Sequence, residues 1–481
     1  MATITSIGIG SGLDIESMIS QLVAVERAPV TKLQQEASSL QTRLSTYGQM
    51  QSALAALRDA AAVLTRASTW TATTGTSSDP GAVAVSTGGT TLPGSYAVEV
   101  QRLASVQSNA TAVFASADAL VGEGTLRIEL GTWGAGQTSF TPQAGATAVD
   151  ITVGPPAQSL AQLRDKINAS ASGIVASVLT DASGARLVLR SASTGEANGF
   201  RVTVTDNDGN HSDGLGLSAL AFDPSAGILT MAQALAAANA AASLNGLAVS
   251  SPTNTLSDVV DGLTLTLGKT TSAPVQVDAK PDTEAMRKAI DSFVTAYNAL
   301  NQLIAEKTRY DPAAKTGATL QGDSAAVSIR AQMRALLGGS SGASAMFDRL
   351  ADVGFDVKSD GSIQLDKSKL DNGLANLAEM RKLFAADDAL DAANDGIATR
   401  LRELADQFLG ADGAIATRQE GLRRRIELNE DRQERLEDRI VMIEKRLRAQ
   451  YTALDRQMAA LTSLSSYVSQ QIAAFNRSGD N

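Results

Sequence analysis

Both ends of the chain show the hydrophobic spacing of long helices, whereas the middle does not. Near the amino-terminal end, apolar residues recur three and four positions apart at Ile15, Met18, Ile19, Leu22 and Val25, then at Leu33, Ala37, Leu40, Leu44, Tyr47 and Leu54, with Met50, Leu57 and Leu64 beside them. Asp14 is placed to cap the first helix, and Pro29 is expected to end or kink it. The pattern therefore predicts helix on both sides of Pro29.

The stripe at the carboxy-terminal end is longer and contains neither glycine nor proline. It runs through Leu422, Ile426, Asn429, Gln433, Leu436, Ile440, Ile443, Leu447, Gln450, Leu454, Gln457, Leu461, Leu464, Val468, Gln471 and Phe475. A helix of this length extends roughly 80 Å and needs a partner helix, for which the amino-terminal helices are the nearest candidates. The predicted coiled-coil and assembly positions are Leu33, Leu40, Leu44, Leu54, Leu436, Ile440, Ile443, Leu447, Leu454, Leu461, Leu464, Val468 and Phe475.

Between these ends, from about residue 77 to 278, the period changes to that of strands. Apolar and polar residues alternate over 95–100, 126–130 and 201–204, and hairpins are predicted at 174–190 and around Asn245-Gly246. A short helix carrying Leu160, Leu163 and Ile167 precedes the first hairpin. The region is long enough for two β domains, one inserted into the other.

Helical periodicity resumes after Pro281 with Met286, Ile290, Phe293, Tyr297, Leu300 and Ile304 on one stripe, and a hairpin is predicted at Asp360-Gly361. The fold class is therefore α+β, with the terminal helices paired as a coiled-coil stem and a two-part antiparallel β head inserted between them. The predicted domains are a leader with stem helices at 1–76, an inner β domain at 77–109 plus 241–280, an outer β domain at 110–240, a helical leg at 281–420 and a carboxy-terminal helix at 421–481.

Composition favours an assembly protein over a compact enzyme. The 481 residues have only 4 % aromatic side chains, so the cores are expected to be small and completed in part by partner subunits. The net charge of −10 without a one-signed basic surface argues against nucleic acid. The absence of cysteine excludes disulfides and thiolate sites, and no apolar run is long enough to predict a membrane span.

Candidate chemistry is sparse. His211, the single histidine, lies in a stretch of turn-forming residues from Asp206 to Asp213 that lacks the glycine and glutamate of a calcium-binding loop. A solvated hairpin loop is the expected structure. The glycines at 8, 10 and 12 do not complete a phosphate-binding motif, so we expect no enzyme activity, no metal and no cofactor.

The last helix changes chemistry along its length. From Arg423 to Arg448 acidic and basic residues interleave, and Glu420 with Arg424, Asp431 with Arg435 and Glu444 with Arg448 are spaced for ion pairs on a solvated face. From Gln457 to Asn476 there is no charge at all. That segment is too polar to span a bilayer and suits packing among other helices, where a buried charge is costly.

Several segments carry a family resemblance. Residues 4–29, ITSIGIGSGLDIESMISQLVAVERAP, resemble the amino terminus of the flagellar filament cap family, also called the hook-associated protein 2 family. Residues 92–104, 245–267, 320–323 and 350–354 continue the resemblance. Residues 163–168 with the following hairpin are similar to a repeat of flagellar hook-associated proteins. The outer head, about 110–155 and 195–240, is the least recognisable part.

The resemblance implies a secreted protein at the distal tip of the flagellar filament. Its amino terminus would be an uncleaved leader for flagellar type III export, including Ile7, Gly8, Gly10, Gly12, Leu13 and Asp14. The protein would form a homo-oligomeric ring of about four to six subunits that retains exported flagellin and promotes its folding and polymerisation. Implied partners are flagellin, the hook-associated junction proteins and an export chaperone, with no nucleic acid. Two alternatives stay open: a hook–filament junction protein, and an adhesin that uses the β head.

Overall fold

The computed structural model describes residues 14–156 and 158–478, which form two compact units. The helical unit comprises the described chain up to Trp70 and from Glu284 onward, and the β unit is Thr71–Thr283. The helices are α1 (Ile15–Thr65), α2 (Ala67–Thr71), α3 (Leu160–Ala169), α4 (Thr283–Thr308), α5 (Ser324–Gly338), α6 (Lys367–Leu374), α7 (Leu377–Ala385), α8 (Ile397–Leu409) and α9 (Ala414–Ser478). Long helices at both ends flank antiparallel sheets, which confirms the predicted fold class.

The strands alternate with short connections through the β unit. They are β1 (Thr73–Ser77), β2 (Val83–Thr87), β3 (Gly94–Arg102), β4 (Ser108–Ala110), β5 (Gly124–Trp133), β6 (Phe140–Pro142), β7 (Val149–Val153), β8 (Ile174–Asp181), β9 (Gly184–Ser191), β10 (Gly199–Asp206), β11 (Phe222–Asp223), β12 (Ile228–Leu229), β13 (Ala232–Leu235), β14 (Ala240–Leu244), β15 (Leu247–Ser251), β16 (Thr255–Val260), β17 (Leu263–Leu267) and β18 (Val275–Pro281). The helical unit adds the hairpins β19 (Tyr310–Asp311) with β20 (Thr316–Gly317) and β21 (Phe355–Val357) with β22 (Ile363–Leu365).

Pro29 does not end the first helix. Asp14 caps α1 as predicted, its carboxylate accepting a hydrogen bond from the Ser17 amide at 3.0 Å, and the helix then continues unbroken to Thr65. A proline inside a helix costs about 3 kcal/mol because one backbone hydrogen bond is lost. Val23 and Val30, on either side of it, are buried in a cluster with Ile440 of α9, so tertiary packing holds the helix together across the proline.

The buried face of α1 is wider than the predicted stripe. Leu40, Tyr47 and Leu54 are buried as expected, but Met50, Leu57 and Leu64, which the spacing placed beside the stripe, are completely buried as well. The reason is that α1 contacts α8 in addition to α9. A helix packed against two neighbours buries a broad face, whereas a coiled coil buries a narrow seam.

Aromatic stacking organises the core of the helical unit. Trp70 stacks on Phe384 of α7 with ring centroids 5.5 Å apart, and Phe384 contacts Phe355 of β21 at 5.6 Å. The predicted stripe of α4 is confirmed, since all six of its members are buried in this core. The predicted hairpin at Asp360-Gly361 is also present, and Gly361 adopts the left-handed φ of 86° that the turn requires.

The β unit contains two sheet pairs with separate cores. In the inner pair, a five-stranded sheet has the order β1-β18-β3-β14-β15, and a three-stranded sheet has the order β16-β17-β2. In the outer pair, one sheet has the order β12-β11-β10-β5-β6 with β7 also on β5, and the other has the order β13-β4-β9-β8. All strand pairs in the described chain are antiparallel.

Local sequence signals locate the hairpins and α3. β14 and β15 turn at Asn245-Gly246 with φ of 49° and 84°, the two positive values of a type I′ turn. The hairpin β8–β9 follows α3, whose predicted residues Leu160, Leu163 and Ile167 are buried. The strand region extends from Thr73 to Pro281, a few residues beyond the predicted limits at each end.

The chain enters and leaves the outer sheets at adjacent points. Ser105 and Ala238 exchange backbone hydrogen bonds of 2.9 and 3.2 Å, so the two connections run side by side. β4 and β13 already belong to the outer sheets, and β14 returns to the inner one. The five-segment division given by the sequence stays a prediction.

Glu379 of α7 ties a loop to the helical unit and makes stability depend on pH. The Lys382 ammonium, the Ser344 hydroxyl and the Ala345 amide bond its carboxylate at 2.7, 2.8 and 2.9 Å and lower its pKa from 4.5 to about 2. A carboxyl whose pKa falls on folding stabilises the native state fully above its ordinary pKa and loses that effect as pH drops toward the lowered value.

We therefore expect Glu379→Gln to lower the Tm at pH 7, and the difference from the parent protein to shrink as pH falls from 4.5 toward 2. Thermal unfolding followed by circular dichroism across this range measures it. Glu427→Gln, on an exposed position of α9, is the matched control and is expected to change the Tm little. A pH-independent difference for Glu379→Gln would contradict the assignment.

Candidate assembly surface

α1 and α9 pair in antiparallel fashion, which confirms that the terminal helices are partners. Arg448 forms a bidentate ion pair with Glu16, with N–O distances of 2.6 and 2.8 Å, near the start of α1. Farther along, Arg425 approaches Glu36 at 3.5 Å, and Gln419 donates to Gln51 at 3.1 Å. From one contact to the next, residue numbers rise along α1 while they fall along α9, so the two helices run antiparallel. The three contacts together define their register.

A small apolar cluster joins the start of α1 to the middle of α9. Ile15, Ile19, Val23 and Val30 bury Ile440, with Leu436, Leu447 and Tyr451 packed at its edge. Farther back toward the start of α9 the seam is polar: Asn429 is buried and accepts a hydrogen bond from Gln433 at 2.6 Å. Because this hydrogen bond lies within α9, it interrupts the apolar seam without linking the two helices, and the seam is apolar again at Ile426 and Leu422, which pack in the helical core.

The last part of α9 lies outside both the helical core and the cluster around Ile440. Every side chain described from Leu461 to Ala474 is exposed. The apolar residues among them include Leu461, Leu464, Tyr467, Val468 and Ile472, which are 47–59 % exposed. From Gln457 to Ala474 the helix extends for roughly 27 Å at 1.5 Å per residue. This free segment, residues 457–474, presents an apolar helix surface that is exposed in the described chain.

The structure divides the predicted assembly positions into two groups. Those used within the chain are Leu40 and Leu54 in the helical core, Leu44 packed against it, Ile440, Leu436 and Leu447 in the small cluster, and Leu33 and Ile443 as half-buried flanking residues. Those exposed on the free segment are Leu461, Leu464 and Val468, and Leu454 is exposed just before it. Phe475 and the predicted leader residues Ile7, Gly8, Gly10, Gly12 and Leu13 lie outside the described side chains. An assembly role for either group stays a prediction.

Charged contacts of α9 follow the predicted spacing only in part. Glu444 bonds Arg448 at 3.0 Å and Glu420 approaches Arg424 at 3.9 Å, whereas Asp431 and Arg435 form no ion pair in the described structure. The pair between Glu16 and Arg448 was not predicted, since the two residues are 432 positions apart in the chain. Contact with Glu16 raises the pKa of Arg448 above its ordinary value.

The described residues contain no constellation that suggests bound metal or a membrane span. No group of three potential metal ligands occurs among them, and none of their helices is long and apolar enough to cross a membrane. His211 lies exposed in the loop after β10, where its Nδ1 accepts a hydrogen bond from the Asp206 amide at 3.0 Å. That arrangement matches the expected solvated loop.

Comparison with known families and proteins gives matches to flagellar hook-associated proteins. Residues 11–107 and 237–463 match the models described as Flagellar hook-associated protein 2 N-terminus and C-terminus, and residues 136–193 match the Flagellin hook IN motif. The chain is 30 % identical to Flagellar hook-associated protein 2 of Escherichia coli K12, covering 98 % of each chain. It is 31 % identical to the A-type protein of Pseudomonas aeruginosa, again over 98 % of each, and 28 % identical to that of Salmonella typhimurium over 99 % of this chain and 100 % of the relative.

One solved structure is similar over most of the molecule. The crystal structure of the flagellar cap protein D1-D2-D3 domains from Escherichia coli superimposes with a TM-score of 0.58 at 27 % identity, covering 79 % of this chain and 99 % of that one. The similarity therefore extends beyond the β unit into the helical unit.

Replacing Ile440 with alanine is expected to loosen the start of α1. The substitution removes the buried centre of the small apolar cluster and should cost about 2–5 kcal/mol locally. Amide hydrogen exchange should then accelerate across Ile15–Val30 while α4 stays protected. Val441→Ala, at a neighbouring position that is 60 % exposed, is the control and should leave exchange unchanged. Equal effects of both variants would show that the cluster does not hold α1.

Proposed function

Because the chain belongs to the flagellar hook-associated protein 2 family, we propose that it acts as the structural cap at the distal end of the bacterial flagellar filament. The observation that carries this proposal is the near full-length similarity to hook-associated protein 2 relatives, joined by the likeness to a flagellar cap structure. The location is accordingly extracellular, at the filament tip. Neither a junction protein nor an adhesin is favoured by these comparisons.

At the tip the protein would work as a homo-oligomer that retains exported flagellin and promotes its folding and insertion. The β unit would form the plate, and the paired helices would contact the filament subunits. No bond-making chemistry is required, because flagellin that buries its own apolar helices supplies the free energy. In support of this role, the relatives are structural cap proteins and the free segment offers an apolar helix surface for contacts with other chains.

The same proposal includes the domain organisation and the partners of each domain. The outer β domain, 110–240, would be a module inserted into the inner one, 77–109 plus 241–280, and the adjacent crossings at Ser105 and Ala238 support this arrangement. The stem helices at 1–76, the leg at 281–420 and the helix at 421–481 would contact flagellin and the junction proteins. An export chaperone would hold the protein before secretion by the type III route.

The free segment is the part whose loss should abolish capping. Purified full-length protein added to cells that lack their own copy should restore filament growth, whereas protein cut after Arg456 should not. Filament length by electron microscopy measures both. Normal filaments in cells without any copy would refute the cap function.

A point variant tests whether capping needs the apolar surface of the free segment and not only the presence of the segment. Leu464→Asp places a charge on a side chain 58 % exposed in the free segment and should block rescue, because burying that charge among other helices is costly. Leu428→Asp, at a position 55 % exposed on the charged part of α9, is the matched control and should rescue normally. Rescue by Leu464→Asp would show that the segment stays solvated in the working cap.

A further inference from the structure

The helical unit contains a positively charged cavity to which the pairing of α1 with α9 assigns no role. It has a volume of about 750 Å³ and lies between α1, the loop leading into α5 and the start of α9. Its described lining includes four arginines, Arg43, Arg418, Arg424 and Arg425, and one carboxylate, Asp323. We call this the arginine cavity.

Most of the positive charge in the arginine cavity is uncommitted. Arg43 forms no ion pair with any described residue, and Arg418 donates to the neutral hydroxyl of Ser324 at 3.1 Å. Arg424 and Arg425 have only the exposed contacts to glutamate described above, which are weak in water. The lining thus has an excess of guanidinium groups, which are suited to binding carboxylates in bidentate geometry.

The single carboxylate of the cavity is already engaged. Asp323 caps α5, its Oδ1 accepting hydrogen bonds from the amides of Ala325 and Ala326 at 3.0 and 3.2 Å. It forms no ion pair with any of the four arginines in the described structure, so one negative charge faces four positive charges in the lining.

Tyr47 adds a buried hydroxyl that faces the Asp323 carboxylate. The side chain is 1 % exposed, and no acceptor lies at full hydrogen-bond distance, although the Asp323 carboxylate is near enough to act on the hydroxyl. The charges that act on this hydroxyl are those of Asp323, Arg418 and Arg43, so it lies at the cavity wall. Burial, and then the Asp323 carboxylate, raise the pKa of Tyr47 above its ordinary value, so the hydroxyl stays a proton donor. The cavity therefore offers donors to a ligand that carries negatively charged acceptors.

The same unit presents a segment of complementary chemistry. The acidic loop, residues 386–396, has the sequence ADDALDAANDG. Asp387 and Asp391 are exposed and Asp388 is half-buried, whereas Asp395 points inward and accepts a hydrogen bond from the Asp388 amide at 2.7 Å. Between these carboxylates Leu390 is 97 % exposed. The arginine cavity has a matching apolar floor, because the buried side chains of Leu320 and Leu422 are part of its lining.

A chain cannot place its acidic loop in its own arginine cavity. The cavity lies at the start of α5, where Asp323 caps the helix. The acidic loop lies just past the other end, where Ser341 donates to the Asp395 carbonyl at 2.9 Å and the Gly342 amide donates to Ala393 at 3.0 Å. The 15 residues of α5 separate these points by roughly 22 Å.

We propose that the arginine cavity receives the acidic loop of a second copy of this chain, with Leu390 entering between the arginines. Two different patches of one unit would then meet, which is a head-to-tail contact of the kind that generates rings. The inference deepens the proposed function, since it names a contact through which the homo-oligomer would form.

Cysteine cross-linking between two full-length chains tests the contact, since the sequence contains no cysteine of its own. One chain carries Thr417→Cys in the cavity lining and the other carries Ala389→Cys beside Leu390. Mild oxidation of the mixture should give a cross-linked dimer at least about fivefold above a control mixture, because oriented docking holds the two thiols together. The control pairs Thr417→Cys with Ala313→Cys, an exposed turn position outside the cavity lining.

Charge reversal decides whether the arginines cause the contact. Arg43→Glu in the cavity chain should reduce the yield to the control level, and Asp387→Lys in the loop chain should restore it. Both variants should keep the parent Tm, since neither residue forms an ion pair in the described structure. A dimer yield equal to the control mixture, or a yield insensitive to Arg43→Glu, would overturn the proposal.

Small probes identify the source of the anion. The peptide ADDALDAANDG should compete with the cross-link, whereas ANNALNAANNG should not. Competition by inorganic phosphate as strong as by the acidic peptide would overturn the proposal in favour of a small-anion site. Peptide binding without any cross-link between chains would also overturn it, because the occupant would then be another acidic protein. Filament rescue by the parent chain is scored separately, so loss of the contact and loss of the cap function remain distinguishable.

Discussion

The antiparallel contact between α1 and α9 is the constraint on which the rest of the architecture depends. It brings Glu16 and Arg448 together across 432 positions and closes a loop that contains the whole β unit. Closing so long a loop adds little entropy cost beyond that of a shorter one, since the cost grows only with the logarithm of length. A large head can therefore be inserted between the two helices without weakening their pairing.

That pairing combines apolar and polar contacts. Its apolar contacts fall into two groups, the cluster around Ile440 and the helical core that contains Ile415 and Leu422, and between them Asn429 and Gln433 occupy positions where a strong coiled coil would have leucine. The amide contact from Gln419 to Gln51 crosses the seam and favours this register, because a shift would leave the buried Gln419 amide unpaired. The helices consequently have one defined alignment, and the polar interruption lowers its stability relative to a continuous leucine seam.

Local signals in the sequence were sufficient to predict most helices and hairpins. The features that they did not predict depend on contacts between residues far apart in the chain. The turn at Asn245-Gly246 and the stripe of α4 could be located because their residue types specify the backbone nearby. The passage of α1 through Pro29 and the burial of Met50 depend on α9 and α8, and no local pattern reveals those partners. For the same reason the stripe of α9 predicted contacts at all of its assembly positions. In the described structure only the positions before Gln450 pack against other parts of the chain.

The two halves of α9 differ in chemistry because they face different surroundings. Upstream, charged flanks remain in water on either side of a seam that α1 covers, so each ion pair costs little and contributes little. In the free segment, charges are absent and apolar side chains face solvent. Burial against a partner would stabilise it by roughly 25 cal/mol for each Å² of apolar surface covered. An isolated helix of this composition is marginal in water, since helices in proteins owe most of their stability to packing. The proposed burial of the free segment by other chains would obey the same rule that pairs the upstream half of α9 with α1.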